Sequence, residues 1–155
     1  MSVLNNGAAY LGGVLGLQVN RAAATLPATA QTPYFTVTGG KVLITGIVGE
    51  VTTAVQAQAT TLQLIATPAA GTAVALSSAA TDATGKEAGA TITPAATLGG
   101  ALSISNAGAN VLSFGVGFVV RTGTIDLKTV ATSTGATKWT VTYVPLDSGA
   151  AVVAA

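Results

Sequence analysis

The chain has 155 residues, enough for one domain of ordinary size with a real core, and only 7% of them are charged against roughly 25% in a typical soluble protein. Its six basic and five acidic residues give a net charge of +1 and are spread singly, so no basic stripe exists to neutralise phosphates and nucleic-acid binding is not expected. Histidine and cysteine are absent, which excludes disulfides, the usual zinc sites, Ser-His-Asp triads and thiol nucleophiles.

In chain order, the first segment is NNGAAYLGGVLGLQVNRAAATLPATAQ. It mixes Gly, Ala, Asn and Pro without a sustained helical or alternating period, and reads as an extended N-terminal arm over residues 1–31. Its most apolar part, Ala8 to Val19, carries glycines and is too short to span a membrane. The first positive side chain is Arg21, beyond that run, so a signal peptide is not expected either. The mean hydropathy of +0.65 comes from alanine and valine, and seven aromatic residues cannot supply the two girdles of a membrane barrel.

From residue 32 to 155 the pattern changes to one β-rich domain. The segments YFTVT, KVLITGIVGEV, TLQLIAT, TAVALSS, ATITP, ALSIS, NVLSFGVGFVVR, TIDLKTVAT and TKWTVTYVPL are short, rich in Thr, Val and Ile, and punctuated by Gly, Pro, Asn or Asp. They predict an all-β chain, an antiparallel β-sandwich or β-barrel of about eight or nine strands. VTTAVQAQATT is the one stretch with helical character, and strand and turn is preferred there. KVLITGIVGEV and NVLSFGVGFVV are apolar on both faces, so both faces should be covered. In the second, Gly115 and Gly117 fit either a glycine bulge in a central strand or a place where a second backbone, such as a neighbouring subunit's, lies close.

Near the C-terminus, GTIDLKTVATSTGATKWTVTYVPLD reads as a hairpin with loop Ser133, Thr134 and Gly135, the glycine taking the left-handed position. That register sets Ile125, Leu127 and Thr129 opposite Tyr143, Val141 and Trp139 on a core face. Asp126, Lys128, Val130, Lys138, Thr140 and Thr142 fall on a wet face.

Candidate chemistry is sparse. Glu50, Asp126 and Asp147 each stand alone in sequence, so a two-carboxylate hydrolase has little support. Asp82 and Glu87 lie in AATDATGKEAGA, which lacks the alternating ligands of a calcium loop and reads as a solvated turn with Lys86. LGGVLG, Leu11 to Gly16, lacks the preceding strand and following acidic residue of a dinucleotide-binding motif. Trp139 could stack on a sugar or base, but its spacing beside Val141 and Tyr143 favours a core role. No catalytic residue, metal ligand or cofactor is expected.

The stretches TPYFTVTGGKVLITGIVGEVTTAVQAQATTLQLIATP, Thr32 to Pro68, and GTIDLKTVATSTGATKWTVTYVPLDSGAAVVAA, Gly123 to Ala155, resemble small structural proteins of tailed-bacteriophage virions, including capsid decoration or cement proteins. The resemblance does not extend to the N-terminal segment or the middle of the chain. It implies a β-rich, non-enzymatic protomer, commonly trimeric, made in the host cytoplasm and bound to the major capsid protein at the capsid surface. No set of functional residues is carried over. The scarcity of charge agrees: a monomer of this mass exposes on the order of 7,000 Å², so eleven charges leave roughly one per 640 Å², and oligomer contacts would hide much of the rest. The alternatives are a phage tail, fibre or vertex component, or a secreted β-sandwich adhesin or surface-layer module binding a receptor or glycan.

Overall fold

The computed structural model describes residues 16–111 and 117–155. Its strands are β1 (Leu17–Thr25), β2 (Gln31–Thr38), β3 (Val42–Thr53), β4 (Thr61–Pro68), β5 (Val74–Ala75), β6 (Thr81–Asp82), β7 (Thr91–Thr93), β8 (Ser103–Ser105), β9 (Phe118–Val120), β10 (Gly123–Thr129), β11 (Ala136–Pro145) and β12 (Ala151–Ala154). They form two antiparallel sheets of six strands each. One runs β1-β11-β3-β7-β8, with β9 also on β3; the other runs β12-β2-β10-β4-β5, with β6 also on β4. The architecture is a β-sandwich, one of the two all-β forms that the short Thr- and Val-rich segments predict, and the described residues contain no helix. Three strands, β1, the short β6 and the terminal β12, exceed the nine expected segments, and TAVALSS yields only the two residues of β5.

The segment read as an arm differs over its described part. Leu17 to Thr25 is an edge strand paired with β11, with a register shift between Arg21 and Ala24. Most of β1 is exposed, and an edge strand wetted on its outer side need not show the alternation of a half-buried one. Leu26, just beyond it, is in the core. LGGVLG lies outside the described residues, apart from Gly16.

The C-terminal ribbon is not a hairpin. β10 pairs with β2 and β4, while β11 lies in the other sheet between β1 and β3. The inward faces nevertheless follow the expected alternation: Ile125, Leu127 and Thr129 on one strand, and Trp139, Val141 and Tyr143 on the other, are all buried. Alternation specifies which side of a strand is buried, and it is equally satisfied when two strands meet face to face across a core. Gly135 is accordingly not in the left-handed region. A Cβ there would lie 2.8 Å from Val55 Cγ2, so glycine is required by close packing.

Bulges account for the segments that look apolar on both faces. In β3 the pairing steps from Ile44 opposite Tyr143 to Gly46 opposite Thr142, and the extra residue, Thr45, flips the phase. Val42 and Ile44 before it, and Ile47, Gly49 and Val51 after it, can therefore all face inward, while Leu43 and Val48 on the other face are only half-buried. A similar irregularity in β2, between Phe35 and Pro33, lets the consecutive Tyr34 and Phe35 both enter the core. NVLSFGVGFVV is not a central strand where it is described: it gives only β9, with Val120 buried and Val119 exposed. Gly115 lies outside the described residues. Gly117 has φ of +69°, and its backbone lies so close to the Ile44 carbonyl that a Cβ would overlap it. The nearby backbone is β3 of the same chain.

Candidate interaction surface

The carboxylates are dispersed. Glu50 sits opposite Lys138 on the outer face of the first sheet, with Lys138 Nζ 3.0 Å from its Oε2. Asp147 accepts from the Lys41 backbone N–H at 2.7 Å and pairs with Lys41 Nζ at 3.6 Å. Asp126, expected to be wet, is buried: Gln31 Nε2 and Thr67 Oγ1 donate to its Oδ2 at 2.6 and 2.7 Å. Through Oδ2 the side chain thereby ties its own strand to both neighbours, β2 and β4, while its Oδ1 is buried without a hydrogen-bond partner. Asp82 accepts from the Thr84 backbone N–H at 2.9 Å, and that side-chain and backbone hydrogen bonding lowers its pKa. Glu87 is exposed in the same turn, where its backbone N–H donates to Asn106 Oδ1 at 3.4 Å. No group of three or more His, Cys, Asp or Glu positioned for a metal occurs among the described residues.

Trp139 is core. Its ring lies over Gly49, the residue paired with it on β3, so closely that a Cβ at Gly49 would come within 2.9 Å of three indole carbons. Its Nε1 donates to Thr137 Oγ1 at 3.0 Å, and Tyr34 meets it edge-on from the other sheet at 6.2 Å between centroids. With 1% of its surface exposed, it offers no ring face for stacking on a sugar or base.

Lys138 is the solvated counterpart on the same strand. Its pair with Glu50 is half-exposed, and such pairs contribute little because water and salt screen them. Lys138→Ala is expected to change unfolding stability by no more than about 0.5 kcal/mol, measured by chemical denaturation.

Tyr34 adds a pH response. Burial raises its pKa above the usual 10.0, and the neighbouring Thr137 hydroxyl and Arg21 charge only partly oppose this. The unfolded phenol releases its proton near pH 10 while the folded one retains it. The Tyr34 contribution is therefore intact below pH 10 and is lost as pH rises from there through the elevated folded value. Wild type should lose stability above pH 10 more steeply than Tyr34→Phe in parallel denaturant titrations.

Eight large aliphatic side chains are exposed among the described residues, and three of them, Val74, Leu98 and Val119, gather at one place. Where the sandwich edges are short, β5, β9 and the segment around Leu98 border an open cleft of about 280 Å³. Val74, Leu98 and Val119 on its walls are 47%, 59% and 56% exposed, and Arg121 stands at its rim. β9 is held in place by pairing with Val42 to Ile44, and β5 by pairing with Ile65 and Ala66. Around it, eleven charged side chains serve 7696 Å² of accessible surface, roughly one per 700 Å². Val74, Leu98 and Arg121 stand out in the fold and not in the sequence pattern. The available signal was that TAVAL and GFVVR bring large aliphatic residues next to strands too short to cover them.

No protein-family model matches the chain, and no curated protein or solved structure matches it.

Proposed function

We propose that this chain is a non-enzymatic structural protein of a tailed-phage virion, a capsid decoration or cement protein that works as a homo-oligomer, most simply a trimer. The observation that carries the reading is the apolar cleft of Val74, Leu98 and Val119 on a surface so poor in charge. Exposed apolar side chains grouped at one site favour association, because contact with another subunit removes them from water. Dispersed carboxylates, four of the five engaged in a local structural contact, are consistent with a role in assembly. The adhesin alternative loses its aromatic platform, since Trp139 is in the core.

Mass spectrometry of purified particles from a lysate in which the chain is made tests the proposal. Many copies per particle, comparable with the major shell protein, are expected. A few copies would move the protein to a tail or vertex, and absence from the particles would overturn the assignment.

A further inference from the structure

A second cleft carries chemistry that the assembly reading does not use. The register between β1 and β11 passes from Arg21 opposite Trp139 to Ala24 opposite Thr137, leaving Lys138 without a paired residue on β1. At this gap the structure has an open cleft of about 470 Å³, lined by Asn20, Arg21, Ala22, Lys138, Trp139 and Thr140.

One wall of the cleft is Arg21, two of whose donors lack acceptors. Arg21 lays its guanidinium over the Tyr34 ring, 3.8 Å from the centroid, and its Nε and Nη1 are sealed from water with no hydrogen-bond partner. No carboxylate pairs with it among the described residues, whereas the charge of Lys138 is already met by Glu50. Asn20 accepts through Oδ1 from both Gln18 Nε2 at 3.1 Å and Thr140 Oγ1 at 2.8 Å, so its amide orientation is fixed with the NH2 left to donate. Stacking on a phenol ring compensates a guanidinium only in part, and sealed donors without acceptors are costly. A guanidinium and an oriented amide NH2 together suit an oxyanion with several acceptor atoms.

We infer that the Arg21 cleft binds an oxyanion, a carboxylate or phosphate group, through Arg21 and Asn20. The group is either a free anion or a carboxylate side chain of a neighbouring copy, and the site would exist whether or not the chain belongs to a particle. Trp139, the only tryptophan, borders the cleft and reports on it.

The full chain is titrated with sodium phosphate and with sodium acetate at constant ionic strength set by sodium chloride, following tryptophan fluorescence, with sedimentation velocity on the same samples. The expected result for a free anion is a saturable change that Lys128→Gln retains and that Arg21→Gln weakens at least about tenfold, the loss of a charge-assisted hydrogen bond. If a neighbour's carboxylate fills the site, neither anion gives a saturable change, and Arg21→Gln lowers the oligomer order while Lys128→Gln does not. Arg21→Lys, which keeps the charge but loses the planar fork, replaces the Gln variant if that one misfolds, and should be intermediate. The inference is overturned if neither anion saturates and the Arg21 variants sediment like wild type, or if saturation is unchanged without the guanidinium.

Discussion

Trp139→Ala is expected to destabilise the protein by about 3 to 5 kcal/mol, the range for emptying a large aromatic site in a packed core. The indole is almost fully buried, covers Gly49 on β3 and contacts Tyr34 in the opposite sheet. Its removal uncovers the Gly49 backbone, leaves the Thr137 hydroxyl without its donor and breaks an inter-sheet aromatic contact. Chemical denaturation at fixed protein concentration is the measurement, because dissociation of an oligomer would shift the midpoint. A loss below about 1 kcal/mol would show that the ring is not a core element.

Gly123→Ala is expected to cost about 3 kcal/mol, combining a backbone strain of 1–3 kcal/mol with overpacking of similar size. Gly123 begins β10 with φ of +148°, flanked by Val37 on β2 and Pro68 on β4. A Cβ would overlap the Thr67 carbonyl oxygen and come within 2.6 Å of Pro68 Cα, and backbone atoms cannot move aside as a flexible side chain can. The variant should also disturb the adjoining bond from Ala69 N–H to the Thr122 carbonyl, 2.8 Å, near the apolar cleft. Denaturation gives the stability change, and faster amide exchange at Ala69 would localise it. Wild-type stability in this variant would contradict the close approach of β10 to β4.

Most strands from residue 31 onward and their facing were legible because both depend on local composition and a period of two, whereas β1, β6 and β12 were not. Ile125, Leu127, Trp139 and Val141 all point where the alternation places them. Strand partners were not legible, since the inward stripes of β10 and β11 serve equally well beside each other or across a core. Bulges escape a periodic reading for a related reason: a single inserted residue at Thr45 or Tyr34 reverses the phase without leaving a distinct residue type. The alternation places Asp126 on the wet face, and only the folded chain brings Gln31 and Thr67 to it from two other strands. The clefts were hidden similarly. Arg21 stands alone among alanines, and its significance arises from the gap in pairing with β11 and the stack on Tyr34.

The apolar cleft on a charge-poor sandwich is proposed to serve assembly. Native mass spectrometry of the full chain at micromolar concentration, alongside Val119→Asp, tests it most directly. A stable homo-oligomer, most simply a trimer, is expected for wild type, and dissociation for the variant, because a carboxylate at an exposed Val119 burdens the contact without entering the core. A wild-type protein that remains a monomer, or an oligomer that Val119→Asp leaves intact, would contradict the account.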